Sequence, residues 1–289
     1  MVDVDEKRFS PSSAGGRQGE GPATTREVIV DRWRAGTTER VADLVAEEAP
    51  VALTFHGVPH VVMLATPADL EDLAVGFTLS EQIVMRPAEI RSVEAVQRDD
   101  AELEVRIGID AARFSELLRR QRNLTGRTGC GLCGVQTIEE AIRTPAAVAS
   151  DIRVGADELH AVLEELRGRQ RINARTGSVH AAAWAIPGKG IECVREDVGR
   201  HNALDKVIGA IARAGGDFAA GYFLVTSRAS YEMVQKAATV GAAFLAAVSA
   251  PTGLAIRLAE SAGLTLVGFA RQDQHVIYAH SHRLMDGGP

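Results

Sequence analysis

Residues 222–269 read YFLVTSRASYEMVQKAATVGAAFLAAVSAPTGLAIRLAESAGLTLVGF, and this stretch decides the fold. Three apolar runs alternate with two segments of helical length, in the order 222–226, 231–240, 244–248, 253–262 and 264–269. Strands that alternate with helices are typical of a mostly parallel sheet covered by helices. We therefore predict an α/β fold for this part of the chain.

Outward from this stretch, the same alternation extends over residues 151–289, which we predict to be one α/β domain. Residues 25–122 mix short strands with two helices and are predicted to form a smaller α+β unit. Residues 1–24 are polar and glycine-rich, so we expect a disordered tail. Residues 123–150 hold several glycines and two cysteines with little periodicity, which predicts a loop and linker between the units.

Within the smaller unit, the apolar runs 50–56 and 60–66 flank a Gly-Val-Pro turn, which predicts an antiparallel pair of strands. A third strand is predicted at 28–30. Pro67 favours the start of a helix, and an apolar stripe continues from there to Ile83.

The composition excludes several classes of protein. The chain has 289 residues, of which 46% are hydrophobic, and a net charge of −6, so no bulk attraction to nucleic acid or to an anionic membrane is expected. Three cysteines cannot form a disulfide framework, and no charged and apolar leader opens the sequence. No apolar stretch approaches the ~20 residues of a membrane span. We expect a cytoplasmic protein.

The sharpest motif is Cys130-Gly-Leu-Cys133, in which two thiols in a glycine-rich loop could share a proton, form a disulfide or pass on a persulfide. Three other interpretations stay open. A thioredoxin-like site would need a strand before the pair. A zinc site would need Cys193 with His180 or His201 as further ligands. The two cysteines could also have no chemical function.

The same loop matches a dinucleotide fingerprint, Gly129-x-Gly131-x-x-Gly134, with Asp151 about where the acidic residue would stand. The fingerprint needs a hydrophobic strand directly before it, and Leu124 is the only large apolar residue just upstream. The context therefore argues against dinucleotide binding.

Polar residues follow three of the predicted strands. The first two ends hold Ser227, Arg228, Ser249 and Thr252, and the third is the run Phe269, Ala270, Arg271, Gln272, Asp273 and Gln274. Ligands of parallel sheets gather at the carboxyl ends of strands, and helix N-termini favour anions. These ends predict an anion crevice, whereas the alternative is ordinary N-capping by Ser230 and Thr252.

Residues 196–206 hold six ionisable side chains at a predicted strand-to-helix junction. His201 and Asp205, four apart, could share a helix face as a metal site or a proton relay. A capped, salt-bridged helix start is the alternative, unless Arg200 and Asn202 face a ligand. We predict no metal site.

Six segments together resemble the FdhD family of formate dehydrogenase accessory sulfurtransferases. They are 128–134 (TGCGLCG), 176–182 (TGSVHAA), 195–206 (REDVGRHNALDK), 226–233 (TSRASYEM), 249–252 (SAPT) and 268–271 (GFAR). The resemblance extends in order from about Arg26 to the C-terminus. Ser178 and Gln272 depart mildly from the family pattern, which leaves the fine geometry of the pocket open.

The resemblance implies a C-terminal three-layer α/β/α sandwich, similar to cytidine deaminases but without their zinc motif. It implies that Cys130 accepts sulfur as a persulfide from a cysteine desulfurase. The sulfur would go to the molybdenum or tungsten of the bis(molybdopterin guanine dinucleotide) cofactor of formate dehydrogenase. It also implies cofactor binding by the run from Phe269 to Gln274, with GDP as a mimic, and a homodimer.

The residues and the resemblance agree on one mechanism, in which a loop thiolate carries sulfur to a cofactor whose phosphates rest on helix N-termini. Cys133 would receive or resolve the persulfide. The alternative is a binding protein without sulfur chemistry, which shelters the cofactor and docks on the dehydrogenase.

Overall fold

The computed structural model of the protein describes residues 22–97, 102–125, 145–271 and 273–286. The strands are β1 (Thr25–Arg34), β2 (Thr37–Ala46), β3 (Ala49–Phe55), β4 (Val58–Ala65), β5 (Ile90–Gln97), β6 (Leu103–Ile109), β7 (Val154–Gly155), β8 (His180–Ile186), β9 (Gly190–Asp197), β10 (Tyr222–Val225), β11 (Phe244–Ala247), β12 (Thr265–Arg271), β13 (Gln274–Ala279) and β14 (Leu284–Met285). The helices are α1 (Leu70–Ser80), α2 (Ala111–Thr125), α3 (Ala156–Arg169), α4 (Asn173–Thr176), α5 (Arg200–Arg213), α6 (Tyr231–Thr239) and α7 (Gly253–Ala262), with 3-10 turns at Pro87–Glu89 and Ser281–Arg283. Within these ranges, no helix combines the length and the apolarity that crossing a membrane requires.

The main sheet has six strands in the order β13-β12-β11-β10-β8-β9. The three central strands β10, β11 and β12 run parallel, while β8, β9 and β13 pair antiparallel with their neighbours. Every residue of β10 and β11 is buried, as expected for parallel strands that are covered on both faces. The predicted alternation of strands and helices is confirmed.

Side chains of the central strands alternate between two hydrophobic clusters, one on each face of the sheet. Phe223 and Leu245 pack in the cluster that includes α5, α6 and α7. Leu224 and Phe244 pack in the cluster that includes α3. Helices therefore cover both faces, which confirms an α/β sandwich of three layers. The likeness to cytidine deaminases stays a prediction.

The smaller unit is built on a four-stranded sheet in the order β4-β3-β6-β5, and the predicted antiparallel pair is the pair β3 and β4. Helix α1 begins at Leu70, three residues later than Pro67 predicts. The reason is that Thr66 is fixed from both sides: its N–H donates to Asp197 and its carbonyl accepts from Lys206. The chain then turns through Asp69 in the left-handed region before the helix begins.

A hairpin of β1 and β2 precedes this sheet, although the sequence predicted only a short strand at 28–30. Its turn is Ala35-Gly36, with φ of 49° and 89°. The two strands pair over all ten of their residues. Strand β2 was missed because its first four residues are polar and most of the strand is exposed, so no alternating apolar pattern marks it.

The small unit and the sandwich meet where α1 crosses α5. At the crossing, a Cβ on Gly76 would lie 1.7 Å from the carbonyl oxygen of Asp205, and one on Gly209 would lie 1.9 Å from that of Asp72. Only glycine allows the two backbones to approach so closely. One hydrophobic cluster continues across this contact. The boundaries predicted at residues 24, 122 and 150 remain predictions, and residues 1–21 and 126–144 lie outside the described ranges.

Candidate functional site

The carboxyl ends of β9, β10, β11 and β12 lie along one edge of the main sheet, where three helices also begin. Helix α5 starts three residues after β9, and α6 and α7 start six residues after β10 and β11. Helix N-termini offer free N–H groups and the positive end of the helix dipole. This edge therefore has the backbone chemistry of an anion site.

Backbone hydrogen bonds join the segments that follow β10, β11 and β12. Thr252 N–H donates to the Ala229 carbonyl at 3.0 Å, and Phe269 N–H donates to the Ser249 carbonyl at 3.2 Å. Because these bonds link neighbouring segments, the structure brings the three predicted strand ends together. The grouping expected from the sequence is thus observed.

Two hydroxyls at these strand ends form hydrogen bonds with the protein backbone. Ser227 is buried and donates from Oγ to the Arg228 carbonyl at 3.0 Å. Thr252 Oγ1 accepts from Ala255 N–H at 3.3 Å, so Thr252 caps α7, as the alternative interpretation expected. The Arg228 side chain is exposed at the edge. It is better placed than either hydroxyl to meet an anion from solvent.

Phe269 presents an aromatic ring at the edge. Its φ is 50°, a left-handed conformation that costs a non-glycine residue about 1 kcal/mol. The β12 and β13 pairing shifts register between Gly268 and Arg271, and a Cβ on Gly268 would lie 2.7 Å from Pro251 Cδ. The strained backbone leaves Phe269 38% exposed, while Ala270 is buried. An exposed ring held rigidly in this way can stack on a flat ligand.

Beside this edge lies a pocket of about 230 Å³ between the sheet and the end of α3. Thr226, Val248, Ala270 and Arg271 line the sheet side, and Arg271 Nε donates to the Val248 carbonyl at 3.3 Å. The helical side contributes Arg167, Gln170 and Asn173. Sequence reasoning missed these three because it inspected strand ends only.

The rest of the predicted run lies at the tip of the hairpin formed by β12 and β13. Asp273 lies in the turn, Gln274 begins β13 opposite Arg271, and Gln272 lies outside the described residues. The structure therefore brings part of the run, from Phe269 to Arg271, to the pocket and leaves Asp273 and Gln274 beyond it.

A second group of polar side chains stands at the start of α5. His201 Nε2 lies 3.7 Å from a carboxylate oxygen of Glu232, which is too long for a hydrogen bond. The alternative interpretation expected Ser230 to cap α6, but its side chain makes no capping hydrogen bond. Its hydroxyl instead donates to Glu232 at 2.8 Å. In the part of the chain that the structure describes, the buried atoms His201 Nε2 and Arg200 Nε have no hydrogen-bond partner. Such atoms are usually satisfied by a ligand or by water.

The charge state of this group follows from its surroundings. Burial first, and then the charge of Arg200, lowers the pKa of His201 below its ordinary value. The same two causes lower the pKa of His180, which begins β8 nearby. Both imidazoles are therefore neutral at pH 7, so Arg200 supplies the positive charge of the group.

Asn202 has a structural function instead. Its Nδ2 donates to the Leu64 carbonyl at 2.8 Å and to Asp197 at 3.0 Å. Asp197 also pairs with Lys206 at 2.7 Å, and all of these groups are buried. The amide of Asn202 thus connects the two units and does not point its N–H groups at a ligand.

The pairing of His201 with Asp205 as a metal site or relay is not supported. Asp205 is buried and accepts from the Ser80 hydroxyl at 2.7 Å and from Lys236 at 2.9 Å. Among the described residues, no three His, Cys, Asp or Glu side chains are grouped so that they could hold a metal ion. The first turns of α5 therefore match the alternative interpretation in one respect: their charged side chains form salt bridges within the protein.

The two cysteines of the predicted catalytic loop, Cys130 and Cys133, lie outside the described residues, so their role stays a prediction. Cys193 lies in β9, packs against the core, and has its thiol pKa raised, mainly by burial. A thiol of this kind is inert compared with an exposed one. Cys193 is thus partly buried against the core rather than fully buried, and its lack of reactivity stays a prediction.

Comparison with known proteins identifies relatives of this chain. A family model described as the FdhD/NarQ family matches residues 46–285. A sulfur carrier protein FdhD of Cupriavidus necator is 51% identical over 274 residues, covering 95% of this chain and 94% of the relative. One from Xanthomonas euvesicatoria pv. vesicatoria is 51% identical over 275 residues, covering 95% and 96%. A formate dehydrogenase accessory protein of Desulfotalea psychrophila, of solved structure, shares the fold with a TM-score of 0.70 at 22% identity, over 91% of this chain and 100% of that one.

Proposed function

The chain belongs to the FdhD/NarQ family, and from this membership we propose that it is a sulfur carrier that serves a formate dehydrogenase. The observation that carries the proposal is identity of 51%, over 95% of the chain, with a protein named as a sulfur carrier. The Cys130-x-x-Cys133 motif supplies the chemical group that such a carrier needs.

The first half of the reaction is an exchange between sulfur atoms. The Cys130 thiolate attacks the outer sulfur of a persulfide on a cysteine desulfurase. The sulfur–sulfur bond of the donor breaks, and its inner sulfur leaves as a thiolate with the electron pair of that bond. Cys130 then carries the outer sulfur as a new persulfide, and no external oxidant or reductant is needed.

The second half releases the sulfur. The Cys133 thiolate attacks the inner sulfur of the Cys130 persulfide, which forms a disulfide between the two cysteines and expels hydrosulfide. The hydrosulfide binds the molybdenum or tungsten of the bis(molybdopterin guanine dinucleotide) cofactor, which is the substrate. A cellular dithiol then reduces the disulfide and restores both thiols.

The sheet edge is the proposed place of the cofactor. Its pyrophosphates would meet the helix N-termini together with Arg228 and Arg271, and Phe269 would stack on a guanine or pterin ring. The unpartnered atoms of Arg200 and His201 support a polar ligand there. GDP carries the guanine and the pyrophosphate of this cofactor, so it serves as a probe.

The remaining proposals concern partners and location. The sulfur donor is a cysteine desulfurase, the recipient enzyme is a formate dehydrogenase, and the carrier acts as a homodimer. We propose the cytoplasm as its location, because two free thiols that must be reduced after each cycle need a reducing compartment.

The test is to incubate the protein with a cysteine desulfurase and cysteine and to measure its intact mass. We expect a gain of one sulfur atom that a reductant removes, and its loss in Cys130→Ala. Cys193→Ala is the matched control and should gain sulfur like the wild type, because Cys193 is half-buried against the core and the pKa of its thiol is raised. A protein that never gains sulfur would contradict the proposal.

Calorimetry with GDP separates a sulfur carrier from a protein that only shelters the cofactor. Cys130→Ala should keep its affinity for GDP, whereas Phe269→Ala and Arg271→Ala should each weaken it about ten-fold or more. A protein that binds GDP but gains no sulfur would favour the sheltering function. Unchanged GDP affinity in both edge variants would exclude the sheet edge as the nucleotide site.

A further inference from the structure

A wide groove of about 900 Å³ lies where the small unit meets the sandwich. Its lining comes from Ala68 and Asp69 just before α1, from Val194 and Arg195 in β9, and from the segment in which α3 ends and α4 begins. The groove shares no lining residue with the pocket at the sheet edge, so the two are separate cavities. A cavity of this volume accommodates a small organic molecule.

The groove is positively charged although the protein is acidic. Four arginines and two acidic residues line it, which gives the lining a formal charge of +2, whereas the whole chain carries −6. These six residues are Arg169, Arg171, Arg175, Arg195, Asp69 and Glu196. Charges of one sign that line a cleft raise the local concentration of ligands of the other sign. The groove should therefore attract anions.

The two acidic side chains of the groove already have partners inside the protein. Asp69 lies 3.4 Å from Nε of Arg195, which also binds the buried Asp72 at 2.8 Å. Glu196 is buried and accepts from two backbone N–H groups at the start of α4, at 2.8 and 2.9 Å. Because both carboxylates are held in this way, neither is available to neutralise the remaining arginines.

Two arginines of the groove are available to a ligand. Arg169 is not, because it pairs with Glu165 at 2.6 Å. Arg171 and Arg175 are exposed, and within the described part of the chain neither side chain has a hydrogen-bond or ion-pair partner. They stand four positions apart, on either side of the start of α4, and both line the groove. Their guanidinium groups therefore offer unused donors to the same space.

We propose that this groove is a binding site for a phosphate-bearing ligand, with the phosphate held by Arg171 and Arg175. Each guanidinium group can donate two parallel hydrogen bonds. A phosphate presents three oxygens to two such groups, whereas a carboxylate presents only two, so phosphate satisfies the pair better. Ala68, Ile172 and Val194 supply apolar contacts for an organic group attached to the phosphate. The inference concerns a site away from the sheet edge and does not depend on the sulfur chemistry.

Calorimetry with two probes, inorganic pyrophosphate and ADP, tests the groove. Both are titrated into the full chain carrying Arg271→Ala, which weakens the anion site proposed at the sheet edge. We expect a dissociation constant below about 1 mM for at least one probe. Adding Arg171→Gln and Arg175→Gln together should raise that constant about ten-fold or more, because the phosphate loses its charged donors. Circular dichroism checks that the variants are folded.

The matched control is Arg119→Gln in the same Arg271→Ala chain. Arg119 is exposed on α2 and does not line the groove, so this substitution removes a charge without changing the site. It should change the dissociation constant by less than about two-fold, since exposed charges at a distance are screened by salt. A loss in Arg119→Gln as large as that in the groove variant would overturn the proposal, because general attraction would then explain the binding.

The two probes also identify the source of the phosphate. Tighter binding of ADP would show that the ligand is an organic phosphate whose other part contacts the apolar lining, and equal binding would identify an inorganic ion. In either case the bound probe should raise the midpoint of thermal unfolding of the parent chain and leave the groove variant unchanged. If neither probe bound below about 1 mM, the groove would not be a phosphate site, and the sulfur-loading experiment would be unaffected.

Discussion

Two histidines show how the sheet edge changes the properties of single residues. Burial and the charge of Arg200 lower the pKa of His201 and of His180. An unfolded histidine titrates near 6.5, so below that pH the unfolded chain takes up protons more readily than the folded one. The two neutral imidazoles therefore contribute stability that is fully present above about pH 6.5 and is lost as the pH falls.

We expect His201→Gln to reduce this sensitivity to acid. In the wild type, the midpoint of thermal unfolding should fall as the pH is lowered from 7.5 to 5.5. In the variant it should fall less, because one fewer buried imidazole resists protonation. At pH 8, where both proteins have neutral imidazoles, the difference between their unfolding midpoints measures how much the substitution itself destabilises the protein. Parallel pH profiles would mean that His201 is not responsible for the loss.

Single residues also show what the sequence could and could not predict. The sequence identified Thr252 as either an anion ligand or a helix cap, and its partner Ala255 is close enough along the chain for the cap to be foreseen. Asn202 was equally visible, but it donates to Leu64, which is 138 positions away. A partner so distant depends on how the two units pack, and a single sequence does not contain that information.

At the scale of elements, predictability follows burial. Strands β10 and β11 could be predicted because all of their residues are apolar and both faces are covered. Strand β2 could not, because it lies outside both hydrophobic clusters and has no apolar stripe. The start of α1 was predicted too early, since contacts with Asp197 and Lys206 override the preference of Pro67.

The crossing of α1 and α5 leads to a prediction about stability. Gly76→Ala and Gly209→Ala should each lower the free energy of unfolding by about 3 kcal/mol or more, because the new methyl group would overlap a backbone carbonyl of the facing helix. Denaturant unfolding measures this loss.

Gly168→Ala in α3 is the matched control for the helix crossing. It has no atom within 4 Å of the new methyl group and should raise stability by up to about 1 kcal/mol through helix propensity. Equal changes in the free energy of unfolding at Gly76, Gly209 and Gly168 would show that helix propensity, and not the close approach of α1 and α5, determines the effect of the substitutions.

At the scale of the whole molecule, charged side chains join the small unit to the sandwich. Asp72 in α1 binds Arg195 at 2.8 Å and Arg213 at 2.6 Å. Lys206 in α5 pairs with Asp197 and donates to the Thr66 carbonyl at 2.9 Å. Because both sets of contacts connect the units, and one hydrophobic cluster spans them, we expect the chain to unfold as one cooperative body.

Lys206→Met tests this cooperativity. Lys206 and Asp197 are both fully buried, and removing one member of such a pair leaves an uncompensated charge that costs about 3–5 kcal/mol. Hydrogen exchange should show that amides of β3, in the small unit, and of β11, in the sandwich, lose protection by the same amount. The reason is that both would exchange through the same global opening.

Arg167→Gln is the control: its ion pair with Glu164 is exposed, so its removal should change protection by less than about 0.5 kcal/mol. If protection fell only in β11, the two units would open separately, and the shared core would not make the molecule one cooperative unit.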